Sequence, residues 1–206
     1  MTTRIDTSRL VAFDVHVHLE HTGEATEVDK KAASYFKGGA DRDPVAMAEY
    51  YRSRRMAFIV FTVDETLSGV TRLSNDEVVA FAAKHADIAI PFASINPNRG
   101  ADGVREARRL VDGGHVRGLK LHPPIMEFWP NDRLAYPLYE VFAEARLPVV
   151  FHTGHSGIGT GMRGGGGIRQ KYGNLAWPLL PWFYVRRVIC GIGRWRARGG
   201  ELRSSG

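Results

Sequence analysis

The chain has one cysteine, Cys190, so no disulfide can form within it, which suits a reducing compartment. It has no apolar run approaching the roughly 20 residues of a membrane span. The opening Met1-Thr2-Thr3-Arg4-Ile5-Asp6 lacks the apolar stretch of a secretory signal. These absences lead to the expectation of a cytoplasmic protein with no membrane partner. No G-x-G-x-x-G follows the first predicted strand, and there is no P-loop and no Ser-His-Asp spacing. The usual signatures of dinucleotide binding, phosphate transfer and acyl-serine chemistry are therefore missing. A broad excess of positive charge is missing too. The net charge is +6, but residues 175–206 hold six arginines (Arg186, Arg187, Arg194, Arg196, Arg198, Arg203) against one acid, Glu201, which leaves +1 for residues 1–174. A near-neutral body offers no basic footprint for nucleic acid. What remains is an ordinary globular composition, 44% hydrophobic and 24% charged in 206 residues, enough for one well-buried core.

Within that body the most informative stretch is Phe13-Asp14-Val15-His16-Val17-His18-Leu19. Side chains on a strand alternate faces, so His16 and His18 are expected on one face and Phe13, Val15 and Val17 on the other. Two imidazoles on one strand face can chelate a divalent ion such as zinc, iron, manganese or nickel. A chance pairing, or a hydrogen-bonded core histidine, is the plain alternative.

Strands and helices alternate after it. Strand one spans residues 10–18, and a long polar loop runs from Glu20 to Arg42. Asp43-Pro44 reads as a helix N-cap followed by proline at the first helical position. The second strand, residues 57–63, is continuously apolar and suits burial on both faces. Ser74-Asn75-Asp76-Glu77 has capping-box spacing and opens a helix that ends near His85, read as structural. Residues 88–95 are a third strand weakened by Pro91, 116–122 a fourth and 148–152 a fifth, with helices between them. This regularity implies βαβ units and a parallel sheet, either an open doubly wound sheet or a closed (β/α)8 barrel. Polar residues gather at the C-terminal ends of strands one, four and five, where a barrel builds its site, so the barrel is preferred.

At those strand ends His152 joins His16 and His18 as a third nitrogen. Lys120 and His122 share one face of strand four. Pointing inward, Lys120 would hold a substrate carboxylate or help to orient a water on the metal; pointing outward, its stem would snorkel. His122 would line the pocket or bond a loop carbonyl. His155 and Arg163 are further substrate-binding candidates. The glycine-rich segment from Gly154 to Gly167 is either a cover for substrate or a loose loop.

Asp14-Val-His-Val-His18, Gly118-Leu-Lys-Leu-His-Pro123 and Phe151-His-Thr-Gly154 together resemble the amidohydrolase-related family of metal-dependent hydrolases, over roughly residues 10 to 174. The likeness is greatest to the subgroup of aminocarboxymuconate-semialdehyde and resorcylate decarboxylases. The resemblance implies a distorted (β/α)8 barrel with one divalent metal, often zinc, and His16, His18 and His152 as ligands. The same pattern calls for a histidine after strand six and an aspartate after strand eight, yet no histidine follows His155 and no aspartate follows Asp132. The expectation is an α/β chain carrying about five β/α units of an incomplete TIM barrel. Residues 1–174 would be the N-terminal part of the barrel domain, and 175–206 a basic tail foreign to it, from truncation or a shifted frame. The tail has three of the four tryptophans, and a purposeful role at an anionic surface is the alternative.

The expected function is a metal-dependent hydrolase of a small carboxylated or carbonyl-containing compound, impaired by truncation, with Lys120 as the catalytic residue. The alternatives are a decarboxylase of the same family and a non-catalytic remnant. A metal-dependent nuclease or phosphoesterase barrel also begins with H-x-H, but the near-neutral body opposes it. The partner is a small-molecule substrate, without nucleic acid or membrane, and a homo-oligomer is left open.

Overall fold

The computed structural model describes residues 5–20, 43–64 and 73–152, together with the backbone of two short strands near the end of the chain. His155, Arg163, the loop after Glu20 and the Gly154–Gly167 segment lie outside the described residues, as does most of the tail.

Five parallel strands alternate with four helices: β1 Ala12–His18, α1 Pro44–Ser53, β2 Met56–Phe61, α2 Asn75–Lys84, β3 Ala89–Pro91, α3 Ala101–Asp112, β4 Leu119–Leu121, α4 Tyr136–Glu144 and β5 Val149–Phe151. The strands lie in chain order. β1 pairs with β2 and β2 with β3, and β4 pairs with β5. The step from β3 to β4 begins at Pro91, whose carbonyl accepts from Arg117 N–H at 2.9 Å, and continues past it. Ala93 forms a parallel bridge to Leu119, with Ala93 N–H on Gly118 O at 2.9 Å and Lys120 N–H on Ala93 O at 2.7 Å. Sequential parallel pairing with a helix in each crossover is the first part of a (β/α)8 barrel. The predicted strand three, residues 88–95, is shorter in the structure: β3 ends at Pro91, with one further bond to β2 from Phe92 N–H to Val60 O at 2.9 Å. The two strands of the tail, β6 Arg196–Arg198 and β7 Glu201–Arg203, pair antiparallel with each other.

Local chemistry accounts for the helix starts. Asp43 accepts from Val45 N–H at 3.0 Å, with Pro44 in the first turn. Both halves of the capping box are made: Ser74 Oγ accepts from Glu77 N–H, and Ser74 N–H donates to Glu77 Oε2 at 2.7 Å. His85 ends α2 with its ring 4.7 Å from that of Phe81, a structural position as expected.

The core has an outer and an inner side. Phe58 and Val60 of β2 face the helices, packing with Ala48, Val78 and Ala82, while Leu119, Leu121 and Phe151 pack under α3 and α4. The intervening Ile59 and Phe61 face inward with Phe92 and Val150. Burying each such side chain contributes about 1.5–3 kcal/mol. All of β2 after Met56 is buried, as its unbroken apolar run requires.

Candidate metal centre

The inner side ends in a cluster at the C-terminal ends of β1, β2, β4 and β5. β1 reaches it by an irregularity that the sequence does not announce. Asp14 is in register with Phe58 and Val17 with Val60, so three steps along β1 match two along β2. This is a one-residue bulge, and it breaks the expected alternation. Phe13 and Val15 pack inward against the Ile59 and Phe61 cluster, whereas Val17 and Leu19 pack outward with Phe58 and Val60. The extra residue reverses the phase of the pleat. His16 and His18 still point the same way, inward, but Asp14 turns to the helix side. There Asp14 Oδ2 accepts from the Tyr51 hydroxyl of α1 at 2.7 Å, and Oδ1 accepts from His16 N–H at 2.9 Å. Burial and the Asp14 carboxylate raise the Tyr51 hydroxyl above its usual range.

The His16 and His18 Nε2 atoms are 3.1 Å apart. The Phe61 ring forms a wall beneath them, with centroids 5.4 Å from His16 and 4.9 Å from His18. Lys120 is 1% exposed and enters from the inner face of β4, between the outward Leu119 and Leu121. Its Nζ lies 3.4 Å from His16 Nδ1 and 4.8 Å from the Phe61 centroid. The inward alternative for Lys120 is therefore the observed one. Burial pushes its amine down to about 7. His16 is held near 4 by burial first, then by Lys120 and His152, so its ring is neutral at ordinary pH.

His152 follows β5, with its N–H on Leu121 O at 2.9 Å and its ring 5.9 Å from that of His16. Burial, then Lys120, hold it near 4. Its Nε2 is buried with no hydrogen-bond partner among the described residues. A buried polar atom without a partner is costly, and each such atom in a folded protein calls for an explanation. His122 stacks on His152 at 4.0 Å and 18°, and its Nδ1 receives Ile125 N–H at 3.4 Å. It thus faces the site and braces its own loop at once, and burial holds its ring neutral.

The donor set suits a divalent ion. Two nitrogens each about 2.0–2.1 Å from one zinc stand roughly 3.0–3.4 Å apart, and the His16–His18 separation of 3.1 Å lies in that interval. Among the described residues no three His, Cys, Asp or Glu side chains already converge at ligating distance. The pair from β1 is set, and His152 stands beside it with an Nε2 that no other described residue engages.

Sequence reasoning passed over three features. Phe61, read only as part of an apolar run, is the wall of the cluster. Asp14 and Tyr51 form a half-buried brace, and an acid inside an apolar strand was the available signal. A polar web ties the ends of β2 and β3 together. In it Asp64 accepts from Asn96 N–H at 2.9 Å and pairs with Arg99 at 2.8 Å, Arg99 pairs with Glu106 at 2.6 Å, and Asn75 bonds Glu106 and both backbone groups of Ser94. No helix among the described residues is long and apolar enough to cross a membrane.

A profile of the family described as Amidohydrolase matches residues 13–187. No curated protein matches the chain. Among solved structures, an amidohydrolase II is 14% identical, with TM-score 0.51 over 71% of this chain and 52% of its own. A candidate amidohydrolase of Staphylococcus aureus is 9% identical, with TM-score 0.50 over 70% of this chain and 48% of its own. An uncharacterised TIM-barrel protein of Bordetella bronchiseptica is 20% identical, with TM-score 0.50 over 72% of this chain and 57% of its own. The chain spans about half the length of the solved structures it matches. At these identities the likeness is one of fold, and it agrees with the five consecutive barrel strands.

Proposed function

The chain belongs to the amidohydrolase family, and on that premise we propose that it carries the metal-binding half of a divalent-metal-dependent hydrolase site for a small carboxylated or carbonyl-containing compound. His16, His18 and His152 would hold the ion, with zinc the first choice for an all-imidazole set. The observation that carries the reading is the buried His152 Nε2, with no hydrogen-bond partner among the described residues, on a ring 5.9 Å from that of His16, whose own Nε2 lies 3.1 Å from that of His18. When bound, the ion would supply a Lewis acid for a substrate oxygen and for water.

This chain's own residues would do the rest. To offer an Nε2 lone pair, neutral His16 must carry its proton on Nδ1, which faces Lys120 Nζ. Lys120, depressed to about 7, can accept that contact as an amine or present a proton to a substrate carboxylate or carbonyl oxygen. His122 holds the plane of His152 by stacking, and Phe61 keeps water from the floor of the cluster. His122, and beyond the described residues His155 and Arg163, would contact the substrate.

A second reading, decarboxylation, is favoured by the likeness of the strand-one, strand-four and strand-five motifs, taken together, to the decarboxylase subgroup. One experiment separates the two. Metal-loaded chain is incubated in 18O-labelled water with small carboxylated phenols, esters and amides. Hydrolysis places 18O in the product, whereas decarboxylation releases carbon dioxide from the substrate carboxyl. Turnover is expected to vanish with a chelator and in His152→Ala. Turnover indifferent to both would refute the proposal.

A further inference from the structure

We propose that Asp14 is the positioning residue of this centre: its carboxylate, clamped by the Tyr51 hydroxyl, holds the β1 bulge that aims His16 and His18 at one ion. The inference rests on the reading of those histidines as ligands. In a regular strand residues 14, 16 and 18 would share a face. The carboxylate would then stand among the imidazoles, and Tyr51 would have no acceptor in β1. The bulge separates these roles, at the cost of an interrupted ladder. At the interruption His16 N–H goes to Asp14 Oδ1 at 2.9 Å. The other oxygen takes the Tyr51 hydroxyl at 2.7 Å.

Tyr51 is itself fixed, its ring 4.4 Å from that of Phe58, which is fully buried between β2 and α1. A rigid helix–strand contact is thereby transmitted through one carboxylate to the backbone of a ligand residue. Neither Asp14 oxygen faces the imidazole cluster in this arrangement, so Asp14 acts through His16 and is not itself a ligand. Groups that orient metal ligands typically change affinity by about 10- to 100-fold when removed.

The test is the Co2+ affinity of the whole chain, by competition with a chromophoric chelator, together with the Co2+ absorption spectrum. It is run on the parent, Asp14→Ala, Asp14→Asn, Tyr51→Phe and His16→Ala, with urea unfolding of each to confirm that it is folded in the assay. Asp14→Ala is expected to weaken binding on the order of tenfold and to alter the spectrum, because the two imidazoles no longer hold a fixed angle. Asp14→Asn, whose single amide oxygen cannot serve both donors, and Tyr51→Phe should move both readouts less but in the same direction. A purely structural brace would lower the urea midpoint and leave the affinity and spectrum of folded protein unchanged, and that result overturns the proposal. Should Asp14→Ala fail to fold, unchanged affinity and spectrum in both Asp14→Asn and Tyr51→Phe overturn it equally. If His16→Ala binds Co2+ as the parent does, the ligand assignment fails first, and this inference with it.

Discussion

Gly118 stands directly before β4, where the backbone is pinned by the bond from Ala93 N–H to its carbonyl at 2.9 Å. A Cβ placed on it would lie 2.3 Å from Phe92 Cε2, 2.4 Å from Cζ and 2.8 Å from Cδ2. Phe92 is 3% exposed and packs in the inner cluster with Ile59, Phe61 and Val150. The ring would have to retreat by about 1 Å to reach ordinary contact, into a core with no slack, and overpacking of this kind costs about 1–3 kcal/mol. Gly118 has no positive φ, so the substitution itself should restrict the unfolded chain and return about 0.4–1 kcal/mol. Gly118→Ala is therefore expected to lose about 1–2 kcal/mol in urea unfolding followed by circular dichroism. In a Phe92→Leu background the obstructing ring is gone, and the same alanine should be neutral or stabilising. Gly100→Ala is a useful contrast, since no atom lies within 4 Å and only a φ of +56° opposes it, so its cost should not depend on Phe92. An equal loss for Gly118→Ala in both backgrounds would refute the steric account and the inward placement of Phe92.

Two further predictions concern charge. Lowering the Lys120 amine from 10.5 to about 7 burdens the fold by on the order of 4 kcal/mol at pH 7. Lys120→Met should therefore raise the urea midpoint of the metal-free chain at pH 7. The gain should shrink as pH rises toward 10.5, where the unfolded chain also gives up the proton; a variant no more stable than its parent contradicts the buried placement. Arg99→Met removes the cationic partner of Asp64, whose side chain is 4% exposed. With its other bonds, Asn96 N–H among them, still in place, the expected loss is about 1–3 kcal/mol. Arg105→Met breaks only an exposed pair with Asp102 and should cost less than about 0.5 kcal/mol by the same measurement. Equal losses would show that the web around Arg99 carries no special weight.

The contrast between what could and could not be read from the residues is physical. Helix starts depend on side chains two or three positions away, so Asp43-Pro44 and Ser74-Asn75-Asp76-Glu77 were legible as caps. Period-2 alternation placed Lys120 and His122 on one face of β4, and the two β1 histidines on another shared face. The bulge was not legible, because it is a mismatch of count between β1 and β2, and neither strand carries that count alone. The turn of Asp14 toward Tyr51 follows from it and was hidden with it. Strand three is shorter than its apolar run, because burial of residues 92–95 continues past Pro91 where the regular strand stops. The stacking of His122 on His152 joins residues from β4 and β5, and only the register of Lys120 with Val150 brings them level.

The central claim is that β1 and β5 offer three imidazoles to one ion, and direct metal titration tests it. The purified chain is stripped with a chelator and dialysed against Zn2+, and bound metal is counted per chain. The account predicts one ion for the parent, loss of it in His16→Ala, in His18→Ala and in His152→Ala, and retention in His122→Ala, whose Nδ1 is engaged by its own loop. Zinc lost from His122→Ala but kept by His16→Ala would contradict it.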